Sequence, residues 1–124
     1  MENCKEIRGF LGYYVTNDGR VFTDKKSYRL KKKEGEWREV QLAKHKTGYR
    51  YTNIYSGSGK ENRHSIRVHR LVWQEWKGLI PEGYYVDHIN GNKSDNRIEN
   101  LQLLTPSENA QKYHKIDKFN KKKK

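Results

Sequence analysis

Apolar and polar side chains alternate in short runs over the first half of the chain, and glycines separate the runs. The segment 12–23, GYYVTNDGRVFT, has two β-rich runs on either side of an Asn-Asp-Gly turn, which is a strong signal for a β-hairpin. The segment 38–57 repeats this pattern, and SIRV at 65–68 is typical of one more strand. These runs predict a β-rich region over residues 1–65.

The spacing of apolar residues changes after that region from the strand period to the helix period. One helical stripe, at positions i, i+3, i+4 and i+7, comprises His69, Val72, Trp73 and Trp76. Gly78 and Pro81 follow and are expected to end the helix. Because His69 lies on the apolar stripe, we interpret it as a core histidine rather than a ligand.

The last third of the chain has the pattern of a hairpin followed by a helix. YYVDHI predicts a strand over Tyr84–Ile89, a polar loop follows, and LQLLT at 101–105 predicts a second strand. Thr105 is a candidate N-cap, and Glu108 three residues later completes a capping box. On this helix Asn109 is expected to point toward the hairpin. The predicted fold class is α+β, with antiparallel β-hairpins followed by a ββα unit.

Length and charge narrow the class of partner. The 124 residues suit one compact domain, or a small domain with an appendage, and 32% hydrophobic residues predict a small core. The 27 lysines and arginines exceed the 15 acidic residues and leave a net charge of +12. Such a surface attracts a polyanion. The sequence shows neither an amphipathic basic helix nor a spanning apolar run, so nucleic acid is favoured over a membrane.

Cysteine usage and the N-terminus indicate an intracellular setting. Cys4 is the single cysteine of the chain. A disulfide within the chain is therefore excluded, and so are zinc sites built from four cysteines or from two cysteines and two histidines. The first residues also lack the apolar core of a signal peptide. We therefore expect an intracellular, reducing environment.

Basic residues occur throughout the predicted sheet and the polar loop, where they are candidates for phosphate contacts or simply a solvated face. The candidate DNA-binding residues are Arg20, Lys31, Lys33, Arg50, Lys93 and Arg97. Residues 117–124 form a basic tail that is expected to be disordered and to contact phosphates without sequence preference.

The order of elements around Asp87 and His88 resembles the HNH endonuclease family. A strand ending in Asp-His, a polar loop, Glu-Asn-Leu at 99–101 and a capped helix carrying an inward Asn109 follow the family's ββα-metal plan. Residues 66–116 look like the branch found in phage and intron-encoded homing endonucleases. The segment 6–26, EIRGFLGYYVTNDGRVFTDKK, is similar to the short modular DNA-binding motif that often precedes such domains.

The resemblance implies a role for each site residue. His88 matches the general base that activates water, and Asn100 matches the middle asparagine, which holds the second ring nitrogen of that histidine. Asp87 and Asn109 match the metal ligands, and their oxygen atoms suit one Mg²⁺ or Mn²⁺ ion per active site. Adjacent residues of a regular strand point to opposite faces, so joint action of Asp87 and His88 requires the strand end to flare.

Several alternatives stay open from the sequence. Asp87 and Asn109 also suit turn and cap positions, where they would bond the local backbone. A non-catalytic DNA-binding module on the same scaffold and an RNA-binding protein are the competing function classes. For the nuclease, double-stranded DNA is the expected partner. A monomer with one site is expected to nick DNA, and a homodimer would allow double-strand cleavage.

Overall fold

The computed structural model describes residues 3–25, 36–57 and 59–112, and it has the predicted α+β fold. An antiparallel sheet opens the chain, with the strand order β1-β2-β3-β4. Its strands are β1 (Cys4–Glu6), β2 (Tyr13–Thr16), β3 (Val21–Thr23) and β4 (Arg38–Val40). The hairpin predicted around Asn-Asp-Gly is confirmed as β2 and β3. Gly19 in its turn has a φ of +89°, a conformation that favours glycine.

A second antiparallel sheet follows, with the order β5-β6-β7. Its strands are β5 (Ala43–Lys44), β6 (Arg50–Tyr55) and β7 (Arg63–Arg67). Along β6 the side chains of Thr52 and Ile54 are fully buried, while their neighbours are partly exposed, as the alternation of a strand requires. The strand predicted at 65–68 is β7, which begins two residues earlier and ends before Val68.

The helix predicted from His69 is α1, which spans Val68–Lys77. Its buried residues are Val68, His69, Leu71 and Val72. Trp73 and Trp76 pack against the same core and are partly exposed. Gly78 ends the helix with a φ of +110°, and its N–H donates to the carbonyl oxygens of Trp73 and Gln74.

The predicted ββα unit is confirmed. Strands β8 (Tyr85–His88) and β9 (Leu101–Leu104) pair antiparallel, with Asp87 opposite Gln102. Residues 106–112 form a helix, which we call α2. The capping box is also as predicted, because Thr105 N donates to Glu108 Oε1 at 3.0 Å and Glu108 N donates to Thr105 Oγ1 at 3.2 Å.

One hydrophobic cluster joins the elements on both sides of residue 65. It includes Val15, Val21 and Ile54 from the sheets together with Val72 from α1 and Val86 from β8. The two sheets and the ββα unit therefore share a core, which holds them in fixed positions relative to one another. Within the described ranges no helix has the length and apolar character needed to cross a membrane. Lys31, Lys33 and the tail 117–124 lie outside the described residues.

Candidate functional site

Asp87 and His88 are buried neighbours at the end of β8. Only 6% of Asp87 and 4% of His88 is exposed. The strand ends at His88, and Gly91 N donates to the carbonyl oxygen of His88 at 2.9 Å. The chain thus turns at the residue where a flare was expected. Burying two polar side chains here requires specific partners for both.

The partner of the His88 ring is Asn96, which lies in the loop between β8 and β9. Asn96 Oδ1 is 2.7 Å from His88 Nε2, and only 4% of Asn96 is exposed. An amide oxygen can only accept a hydrogen bond, so in neutral His88 the proton is on Nε2. Nδ1 then keeps the lone pair that a general base uses.

Asn100 does not make the contact predicted for it. Its Nδ2 donates to Asn90 Oδ1 at 3.0 Å and to the carbonyl oxygen of Asp95 at 2.8 Å, while its Oδ1 accepts from Asn90 N at 3.1 Å. These three bonds brace the loop across its width. The prediction that Asn100 holds the ring nitrogen is wrong for this structure, since Asn96 occupies that position.

The loop that carries Asn96 rests on the N-terminal hairpin. Ile98 N donates to the carbonyl oxygen of Asn17 at 2.7 Å. A Cβ atom built on Gly19 would lie 2.6 Å from Asn96 Cβ, so the β2–β3 turn approaches the loop more closely than any other residue type would allow. This close approach makes the hairpin a support for the partner of His88.

A wall of aromatic rings covers the other side of His88. The His69 ring lies 4.9 Å from the His88 ring, and Tyr49 stacks on His69 at 5.2 Å. Burial, and to a smaller extent the nearby His88, Arg67 and Arg70, lowers the pKa of His69 to about 3. His69 is a buried core residue, as its place on the apolar stripe predicted.

Asp87 opens into a cleft of about 440 Å³ that it shares with Asn109 of α2. The remaining lining residues are Tyr49, Arg67, His69, Arg70, Tyr85 and Val86. A carboxylate and an amide oxygen on one cleft are hard ligands, which fit Mg²⁺ or Mn²⁺ with water and phosphate oxygens as the other ligands. The described ranges contain no group of three or more His, Cys, Asp or Glu side chains that could hold a metal ion.

Comparison with known proteins identifies this arrangement. The family described as HNH endonuclease matches residues 67–111, from the end of β7 through α2. Gene 5.3 protein of Enterobacteria phage T3 is 35% identical over 83 residues, which cover 67% of this chain and 81% of that protein. The chain belongs to the HNH endonuclease family.

Two other phage proteins are similar to parts of the chain. Protein 3.8 of Escherichia phage T7 is 48% identical over 44 residues, or 36% of each protein. DNA endonuclease I-HmuI of Bacillus phage SP01 is 34% identical over 108 residues, or 86% of this chain and 55% of that protein. The solved structure of I-HmuI, titled as DNA binding and cleavage, superposes with a TM-score of 0.72 at 27% identity and covers 94% of this chain. The chain spans 60% of that solved chain.

The carboxylate of Asp87 is held by two donors on one of its oxygen atoms. Gln102 Nε2 donates to Oδ2 at 2.9 Å, and Lys112 Nζ of α2 donates to the same oxygen at 2.5 Å. Both donors orient the carboxylate, and among the described residues the hydrogen bonds to it are made at Oδ2. Neither donor was predicted, because their separation from Asp87 along the chain reveals nothing about the contact.

The structure commits several of the predicted DNA-binding side chains to other contacts. Arg20 Nε donates to Glu39 Oε1 at 2.7 Å. Arg97 forms a forked pair with Asp95 at 2.8 and 2.9 Å, and this pairing holds the pKa of Asp95 well below its usual value. Lys93 Nζ donates to Thr47 O at 2.8 Å and lies 4.4 Å from the centre of the Tyr49 ring. Arg50 is half-buried in β6.

Arg67 and Arg70 are the arginines that line the cleft shared by Asp87 and Asn109, and neither was predicted as a phosphate contact. Arg67 also lies over the ring of Tyr49, with Cζ 4.3 Å from its centre. The sequence signal that could have identified them as phosphate contacts is their position in the segment RVHR, on either side of the buried His69. That signal becomes useful only when His69 is known to lie beside His88.

Proposed function

We propose that the chain is a divalent-metal-dependent DNA endonuclease that hydrolyses one phosphodiester bond per active site. The observation that carries this proposal is the pairing of His88 with Asn96, which leaves the lone pair of Nδ1 available on the residue next to Asp87, where Asp87 and Asn109 line one cleft. The position of these residues in the HNH plan and the similarity to DNA endonuclease I-HmuI support the same conclusion.

The side chains have separate roles in the proposed reaction. His88 Nδ1 takes the proton from the attacking water, and Asn96 keeps the ring oriented and stabilises the imidazolium that forms. Asp87 and Asn109 would hold the metal ion, which supplies positive charge at the phosphate and the leaving 3′ oxygen when bound. Arg67 and Arg70 would neutralise the non-bridging phosphate oxygens from the other side of the cleft.

A groove beside the cleft gives the DNA a path. A second cavity of about 260 Å³ is lined by His45, Tyr49, Tyr51, Ser65 and Arg67. Tyr49 and Arg67 line both cavities, so the two are neighbours and together present basic and aromatic side chains. We infer that the DNA backbone lies along these two cavities, with duplex DNA rather than a membrane as the partner.

The expected product is a nick, since one chain carries one HNH site and we expect it to act as a monomer. A homodimer would place two sites on the two strands and would produce a double-strand break. The relatives encoded by phages support a role as a phage or intron-encoded endonuclease of the homing type. Mg²⁺ and Mn²⁺ are the metal ions that fit the oxygen ligands.

The test is conversion of supercoiled plasmid to nicked and linear forms in Mg²⁺, Mn²⁺ or EDTA. Wild type is compared with His88→Ala and with His64→Ala, a control that removes an exposed histidine from β7. We expect metal-dependent nicking that is abolished in His88→Ala and retained in His64→Ala. DNA affinity measured in EDTA should be the same for all three proteins, because both substitutions leave the lysines and arginines of the surface in place.

Two outcomes would contradict the proposal in different ways. Full cleavage by His88→Ala would remove His88 as the base while leaving a nuclease. Tight DNA binding without cleavage in any metal, on plasmids carrying phage genomic DNA, would favour a non-catalytic DNA-binding module.

A further inference from the structure

The ammonium group of Lys112 lies in a small cage of oxygen atoms at the end of β8. Lys112 Nζ donates to Asp87 Oδ2 at 2.5 Å, to the carbonyl oxygen of His88 at 2.7 Å and to that of Ile89 at 3.4 Å. The side chain of Lys112 is 23% exposed, and that of Asp87 is 5% exposed. The contact is therefore a partly buried ion pair, which solvent screens far less than a surface pair.

Lys112 also lies on the same side of α2 as the proposed metal ligand Asn109. Residues three apart on a helix are neighbours on its surface, so both side chains extend toward β8 from one face. Asp87 and Asn109 line the cleft, and Lys112 neutralises the Asp87 carboxylate. The protein thus places its own cation against the carboxylate that would bind the metal ion.

We propose that Lys112 is a built-in competitor of the divalent metal ion and that it sets a low metal affinity for the site. A metal ion on the same carboxylate would lie close to the ammonium group, because Lys112 Nζ is 2.5 Å from Asp87 Oδ2. Repulsion between a double and a single positive charge at a separation of roughly 6 Å lowers the affinity about tenfold, even with the full screening of water. This inference rests on the proposed role of Asp87 and Asn109 as metal ligands.

Lys112 also favours metal binding in one way, by orienting the Asp87 carboxylate, but this effect is smaller than the repulsion. Its hydrogen bond helps to orient the carboxylate, but Gln102 Nε2 donates to the same oxygen at 2.9 Å and keeps that orientation when Lys112 is replaced. Removing the charge therefore relieves the repulsion without releasing the carboxylate. Metal affinity should increase when the ammonium is lost.

Calorimetric titration of the DNA-free protein with Mn²⁺ tests this directly. Lys112→Met removes the charge and keeps an unbranched side chain, whereas Lys112→Arg keeps the charge. Lys60→Met is the control for net charge, because Lys60 is exposed and lies outside the ββα unit. We expect Lys112→Met to bind Mn²⁺ at least about tenfold more tightly than wild type. Lys112→Arg and Lys60→Met should stay within about threefold of wild type, since the charge at the site is retained.

Unchanged or weaker Mn²⁺ binding by Lys112→Met, with an unaltered unfolding midpoint, would overturn the proposal and leave the proposed nuclease untouched. Equal Mn²⁺ binding by wild type and Asp87→Asn would remove the metal site itself and this inference with it. Tighter binding by Lys112→Met in a protein that cleaves no DNA would support the competitor role and contradict the proposed endonuclease activity.

Discussion

Asn96 Oδ1 lies 2.7 Å from Nε2 of His88, and both side chains are almost completely buried. The contact fixes the tautomer of the histidine and the plane of its ring. Asn96 in turn depends on the β2–β3 turn, because Gly19 lies directly against it. The base of the proposed reaction is therefore positioned through a chain of contacts that begins in the N-terminal hairpin.

Replacing Asn96 should slow cleavage without weakening DNA binding. Asn96→Ala leaves Nε2 of His88 without its acceptor, so we expect the single-turnover cleavage rate to decrease about 10- to 100-fold, as for other residues that orient a catalytic side chain. Asn96→Asp should instead move the pH-rate profile to higher pH, since a carboxylate stabilises the imidazolium. Asn92→Ala, at an exposed position of the same loop, is the control. Equal rates for Asn96→Ala and Asn92→Ala would exclude the orienting role.

A methyl group at Gly19 should disturb the site from a distance. Gly19→Ala combines the strain of a positive φ, about 1–2 kcal/mol, with a clash against Asn96. Gly9→Ala is the matched control, because Gly9 has a φ of +85° and a Cβ there meets no atom within 4 Å. Urea unfolding should show a larger loss for Gly19→Ala, and only this variant should cleave more slowly when folded. Similar cleavage rates for both folded variants would show that the β2–β3 hairpin does not contribute to catalysis.

DNA affinity should depend on the arginines of the cleft more than on those already paired. Arg67→Gln and Arg70→Gln should each lower the slope of log K against log [KCl] by about 1, because each removes one phosphate contact. Arg20→Gln should change it less, since Glu39 already neutralises Arg20. Fluorescence anisotropy of a labelled duplex between low and physiological salt measures the slopes. A larger change for Arg20→Gln than for the cleft variants would place the DNA elsewhere.

Stability should decrease with acid because of His69. Its pKa is about 3 in the folded protein against an ordinary value of 6.5, so the unfolded chain binds one more proton between these values. The free energy of unfolding is therefore unaffected by this group above pH 6.5. As the pH falls from 6.5 toward 3, it decreases by up to about 1.4 kcal/mol per pH unit. Urea unfolding of wild type and His69→Phe between pH 7 and pH 5 measures this. Parallel pH dependences for the two proteins would show that His69 is not the group responsible.

The sequence by itself determined the local elements and the identity of the ββα unit. The Asn-Asp-Gly hairpin, the helix from Val68, and the capping box of Thr105 and Glu108 depend on backbone conformations and hydrogen bonds between residues a few positions apart. Their patterns are therefore visible in the residue order alone. The Asp-His pair in β8 and Asn109 were recognisable in the same way, as elements of a motif at known spacing.

Only the tertiary structure decided which side chains serve His88 and Asp87. The resemblance assigned the ring contact to Asn100, whereas the structure gives it to Asn96, which is supported by Gly19 from far along the chain. Lys112 of α2 likewise contacts Asp87 of β8, a residue distant from it along the chain. Such contacts are set by how the elements pack on their shared core, and packing between distant segments leaves no periodic signal in the order of residues.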